Sequence, residues 1–244
     1  AAFPDWANWR NEAFGLTVEP SVIIYNKDYF ENLPLPLNRS DLTTFLMQEG
    51  PNLKKQIGTY DIEKSGLGFL FFARDIQQYS SMWELVHAFA QADVQLYGSS
   101  SDMIDRVATG ELKLAYNVLG SYAVSRLNKE SSVGLLLPDD YMVVFSRVAI
   151  VPKKAANAEY GQLFLEYLLS RRGQNMMVKT ANFSSLHPAV KGPFSNQGLY
   201  DTGGKNLRPI KVTPSLLIYL DQIKREKIIR RWRRVLGLKS SIQN

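Results

Sequence analysis

TYDIEKSGLGFLFF, residues 59–72, spans the end of one element, a polar turn and the start of another. KQIGTY (55–60) is a short strand candidate. SGLGFLFFARDIQQY (65–79) reads as a helix with a large apolar face. A strand, a turn and a helix in that order begin an α/β reading. Ser65 and Gly66 stand at the junction. Ser is a common helix cap. A helix start is also an anion site, because its free N–H groups point outward with a partial positive charge.

Outward from this junction, helix-like and strand-like segments keep alternating, as α/β chains do. FGLTVEPSVIIYNK (14–27) reads as a strand ending in VIIYN and broken by Pro20. Ser40 or Asp41 caps a short helix, DLTTFLMQ. SMWELVHAFAQAD (81–93) is a second helix capped by Ser81. LKLAYNVLG (112–120) is a buried strand, and SYAVSRLNK (121–129) a helix. VGLLLP and YMVVFSRVAIVPK read as strands. AEYGQLFLEYLLSRRGQNMM (158–177) reads as one amphipathic helix, with Phe164, Leu165, Leu168 and Leu169 at core spacing. Residues 182–211 read as irregular. The tail TPSLLIYLDQIKREKIIRRWRRVLG keeps a helical stripe through Leu216, Leu220, Ile223, Ile228, Trp232 and Val235, with Leu216–Ile223 expected to be buried.

The chain has 244 residues, 45% of them hydrophobic, enough for one large or two small domains. It lacks an apolar run of about 18 residues, so no transmembrane helix is expected. AAFPDWANWR is not a signal peptide; a periplasmic location would imply one already removed. With no Cys and only His87 and His187, thiolate metal sites are excluded and a catalytic triad has little material. No cofactor and no enzymatic activity are expected. Asp61 and Glu63 are the nearest thing to a carboxylate pair, and alternate positions in an extended turn point apart. The net charge of +6 is concentrated in KREKIIRRWRRVLGLK (224–239), which holds eight Lys or Arg against one Glu. Such a segment can lie on anionic lipid or nucleic acid. The favoured reading is a terminal helix packed on the protein with a solvated basic face, and no nucleic-acid partner.

Taken in order, VIIYNK, the SGLG helix, YGSSSDMIDRVATGE, LAYNVLGSYA, SRVAIVPK and the helix FLEYLLSRRGQ resemble the periplasmic solute-binding proteins of ABC importers. The similarity is nearest to the ferric-ion-binding cluster, which also includes binders of thiamine, polyamines and phosphorylated organic compounds. VATGELKLAYN matches the cluster's unit of short helix, Gly-Glu, strand and Asn. The resemblance implies a two-lobe α/β fold of type II with crossing hinge strands, lacking the N-terminal part of lobe one. Residues 1–30 would be the remainder of lobe one and the first crossing strand, and 31–142 lobe two. Residues 143–195 would return to lobe one, and 196–244 would pack mainly on lobe two.

The resemblance also implies the ligand residues. Ser65, Gly66 and Leu67 match the family's anion-holding helix start, and Asn117 the Asn that supports it. Ser99 and Ser100 match a polar loop reaching the anion, whereas Ser101 reads as a helix cap. The family's metal site uses two adjacent tyrosines after the Asn; NVLGSY offers Tyr122 alone, a poor ferric set. That departure points to an organic anion, with Gly120 leaving room for its body. Arg147, inside the apolar crossing strand, would pair with a ligand phosphate or with a protein carboxylate. Trp6, Trp9 and Tyr25 line the cleft or, with more weight, the core. His87 is a helix residue and His187 a loop residue. The expected function is capture of a small anionic solute by a monomer that delivers it to the membrane permease of an ABC importer. The alternatives are ferric-iron transport and a ligand sensor docking on a receptor kinase.

Overall fold

The computed structural model describes residues 3–127, 132–192, 206–214, 216 and 221–238. In chain order the elements begin with β1 (Asn8–Trp9), β2 (Ala13–Gly15), β3 (Glu19–Asn26), α1 (Arg39–Glu49) and β4 (Ile57–Tyr60). Next come α2 (Gly66–Gln78), α3 (Met82–Gln91), β5 (Gln95–Tyr97), α4 (Ser100–Ala108), β6 (Leu114–Leu119) and α5 (Gly120–Leu127). The remainder are β7 (Val133–Leu136), β8 (Met142–Phe145), β9 (Val148–Ile150), α6 (Ala158–Leu169), α7 (Arg171–Ala181), β10 (Leu207–Pro209) and α8 (Gln222–Leu236).

Contacts divide the chain into two units. One holds Ala1–Pro20 and Tyr141–Ile218, the other Ser21–Asp140 and Tyr219–Asn244. The first boundary falls inside β3 rather than after it. Within the segment expected to pack mainly on the second unit, β10 pairs with β8 in parallel, Leu207 opposite Met142, and groups with the first unit. Pro20 does not break β3 either. It lies opposite Val144 within the β3–β8 ladder, at the last paired position of that ladder.

The second unit is built on β4, with β5 on one edge and β6 on the other, all parallel. β3 runs antiparallel to β6 and to β7. Leu85, Phe89, Ile57 and Leu114 lie in one core with Leu42 and Leu46 of α1. α8 joins it through Trp232, whose ring meets Phe72 edge-on at 4.7 Å. β6 is bulged: the register against β3 slips between Val22 and Ile24, and Asn117 takes a φ of 63°. That left-handed backbone is one Asn tolerates better than a β-branched residue. Several predicted ends move. α1 starts earlier than expected, because Asn38 accepts a hydrogen bond from the Asp41 N–H and caps the helix in place of Ser40 or Asp41. Ser81 precedes α3 without a side-chain cap bond.

The first unit contains the antiparallel set β1–β2–β9 and the helices α6 and α7. The single helix expected over 158–177 is two. At Ser170 the backbone turns extended, and its Oγ accepts from Gly173 N at 3.1 Å, capping α7. A Cβ on Gly173 would stand 2.0 Å from the Tyr167 carbonyl, so only glycine fits this break. Gln174 is fully buried; its Nε2 donates to the carbonyls of Leu16 and Leu168, and its Oε1 accepts from Ser185 and Leu186. The motif SRRGQ therefore encodes a cap, a close approach and a buried polar knot. The expected core stripe of α6 also shifts: Leu165 is buried, but Phe164 is 62% exposed.

Candidate solute site at the strand ends of the second unit

β4, β5 and β6 each run straight into a helix start: α2, α4 and α5. Because the strands are parallel, all three starts fall at the carboxyl edge of the sheet, where open α/β folds place ligands. Hydrogen bonds hold this edge together. The Ser100 hydroxyl lies 2.6 Å from the Tyr60 hydroxyl at the end of β4 and accepts from the Leu119 N–H, at 3.0 Å, at the end of β6. The Asp61 N–H donates to the Tyr97 carbonyl at the end of β5. Burial pushes the Tyr60 phenol up, outweighing its bond to Ser100, so the phenol stays neutral.

Ser65 caps α2: its hydroxyl accepts from Gly68 N at 3.0 Å, and it is nearly buried. This leaves the first-turn N–H groups of Gly66 and Leu67 outside the helix's own bonding. Gly66 is exposed, and a Cβ built on it meets nothing within 4 Å. Ser99 caps α4 by accepting from Asp102 N at 3.2 Å. The cap expected at Ser101 is thus at Ser99, because the extended residue that precedes the helix is Ser99; Ser101 lies inside α4 and is exposed. Ser121, in the first turn of α5, was not singled out by sequence reasoning. It is buried, and its hydroxyl has no hydrogen-bond partner among the described residues. Only the recurrence of Ser just after a strand could have flagged it.

Asn117 is placed differently from Ser65. Its Oδ1 accepts from the Ser21 hydroxyl at 2.6 Å and its Nδ2 donates to Asp75 at 2.7 Å. Asp75, on α2, also accepts from the Tyr116 hydroxyl and pairs with Arg39 at 3.3 Å. Arg39 is fully buried and pairs with Asp140 at 2.7 Å. Both side-chain ends of Asn117 are thereby engaged in this network, which links it to α2 through Asp75.

Tyr122, on α5, is 43% exposed. With Ser101, Ile104, Asp105, Ser125 and Arg126 it lines a cavity of about 190 Å³. Asp61 and Glu63 are both engaged: Asp61 accepts from the Glu63 N–H, and Glu63 pairs with Arg233.

Arg147 belongs to the first unit. It stands in the break between β8 and β9, not inside one continuous strand. Its Nε donates to the fully buried Glu19 at 3.0 Å, and its guanidinium lies 4.6 Å from the Phe183 ring. The geometry is that of the protein-carboxylate reading. A cavity of about 780 Å³ in the same unit is lined by Trp9, Phe14, Ile150, Lys153, Leu165 and Leu169. Of the residues singled out from the sequence as possible cleft lining, Trp9 lines it; Ser65, Gly66, Leu67, Asn117, Ser99, Ser100, Arg147 and Tyr122 do not. Tyr25 packs against the core of the second unit, His87 is exposed on α3, and His187 lies in a bend after α7.

Residues 5–206 match the family of bacterial extracellular solute-binding proteins, and the chain belongs to that family. It is 40% identical to the substrate-binding protein of an ABC transporter from Agrobacterium tumefaciens, with a TM-score of 0.88 over 96% of this chain and 69% of that one. Two further solved structures share the fold at low identity. AfuA of Actinobacillus pleuropneumoniae, a periplasmic binding protein with fructose-6-phosphate bound, is 18% identical with a TM-score of 0.71 over 96% of this chain and 71% of its own. The ferric binding protein of Campylobacter jejuni is 17% identical with a TM-score of 0.67 over 96% and 73%. No curated protein matches the chain. The fold is thus the two-lobe periplasmic-binding type, in a family of transport rather than catalysis that works outside the cytoplasm.

Proposed function

We propose that the protein captures a small anionic solute, bearing a phosphate or carboxylate, at the strand-end cluster of the second unit and delivers it to the membrane permease of an ABC importer. One observation carries this reading: three helix starts gather at one sheet edge around Ser100, beside a buried Ser121 hydroxyl with no partner among the described residues. The unused N–H groups at Gly66 and Leu67 carry partial positive charge from the helix dipole. Ser121 supplies a donor. Such a neutral, preorganised cradle suits an oxyanion. Ferric iron is disfavoured here, because Tyr122 is the only phenolate of the expected pair and it sits exposed.

Calorimetric titration with inorganic phosphate, a sugar phosphate and a dicarboxylate tests the proposal. Gly66→Asp fills open space at a helix start, where a carboxylate favours the helix. It is expected to leave the fold intact and to weaken binding by about tenfold or more, since like charges at short range cost several kcal/mol. Ser121→Ala is expected to keep or slightly raise stability while weakening binding, because the hydroxyl it removes has no partner to lose. Unchanged affinity in both variants would place the solute elsewhere.

A further inference from the structure

The buried side of α8 is Ile228, Ile229, Trp232, Val235 and Leu236, which pack against the core of the second unit. One flank of it is exposed and cationic. Lys224, Lys227, Arg231 and Arg234 recur at intervals of three, four and three residues, so they form one stripe about 15 Å long. None of these four is in an ion pair among the described residues; Arg231 instead lies 4.2 Å over the Trp83 ring. Arg230 is partnered by Glu226, the carboxylate within the helix, and Arg233 by Glu63 ahead of α2, so both leave the stripe uncompensated. The protein's excess positive charge is therefore displayed on one straight face.

We propose that this face rests on an anionic phospholipid surface and holds the solute-binding protein at the membrane beside its importer. The chemistry of the face favours lipid over an acidic protein partner. Protein interfaces are anchored by a desolvated apolar centre with aromatic hot spots. Here the apolar residues of the helix other than Ile223, in its first turn, pack against its own unit, and the exposed flank carries a row of evenly spaced cations. Such a row suits a laterally uniform sheet of negative charge. Ile223 is the one exposed apolar side chain of the helix, too little to insert deeply, so adsorption is mainly electrostatic, weak and reversible.

The test is co-sedimentation of the purified protein with vesicles of phosphatidylcholine alone or mixed with phosphatidylglycerol. Binding is expected only to the anionic vesicles and is expected to vanish in about 0.5 M salt, where the screening length is only a few ångströms. Each cation near the surface contributes about fivefold. The triple variant Lys224→Gln, Lys227→Gln, Arg234→Gln should therefore lose roughly 100-fold. All three positions are exposed, and unchanged circular dichroism and melting temperature would show the variant folded. Inorganic phosphate at solute concentrations should not compete, which separates this face from the strand-end cluster. Retention equal in the triple variant and the parent, binding insensitive to salt, or no binding to anionic vesicles at low salt would overturn the proposal. So would displacement by an acidic polypeptide with no binding to vesicles.

Discussion

A Cβ on Gly68 would stand 2.4 Å from the Tyr60 Cβ, so the first turn of α2 is seated directly against the strand that feeds it. The side chain at position 68 sets how closely the helix start approaches Ser100 and the other strand ends. Gly68→Ala is expected to cost about 1–3 kcal/mol by overpacking, measured as a shift in the urea midpoint without a change of slope. An unchanged midpoint would mean that the helix start has room to slide. Ser65 was legible as a cap from its place before an apolar run. Asn117 was legible as a residue of a buried strand but not in its geometry. Its left-handed backbone and its bonds to Ser21 and Asp75 depend on a bulge and on partners far away in sequence.

Among the elements, α2 is tied most tightly. Asp75 accepts from Tyr116 and Asn117 and faces Arg39, and Arg39 continues the network to Asp140. Ser21 and Asp140 bound the longer of the second unit's two segments, so both ends of that segment are tied to the helix that begins at the candidate site. Asp75→Asn leaves a fully buried guanidinium with one carboxylate fewer. A loss of about 3–5 kcal/mol in unfolding free energy is expected; a loss below about 1 kcal/mol would show that Asp140 alone suffices. The order and type of most elements could be read from apolar periodicity and turn residues. The break at Ser170 could not, because the stripe of 158–177 continues across it; only the Tyr167 carbonyl against Gly173 reveals it. The tail was half legible. Trp232 is buried as its stripe required, but Ile223 is 69% exposed because α8 starts at Gln222 and turns that residue outward.

For the whole molecule, Tyr116 gives a pH dependence. Full burial pushes its phenol well above its usual value, with Arg39 only partly offsetting this. In the unfolded chain a tyrosine ionises near pH 10. Above that pH the unfolded state releases a proton that the folded state keeps, so stability falls as pH rises. The contribution is complete below about pH 10 and is lost as pH rises through the folded value. Chemical unfolding at about pH 9 and pH 11 should show the fall, and Tyr116→Phe should flatten it; a slope unchanged in the variant would assign the effect elsewhere. At this scale the family was readable from the order of its motifs. The division of the chain is harder to read, because the first boundary lies within β3, which continues past it, and β10 joins the first unit through pairing that no local pattern announces.

The central claim is that an oxyanion sits at the gathered helix starts. Native mass spectrometry of the protein as purified, compared with Gly66→Asp, tests it most directly. The account predicts a bound organic mass that on fragmentation releases phosphate or carbon dioxide, present in the parent and depleted in the variant. An excess equal to one iron atom, or an organic anion retained equally by both proteins, would contradict it.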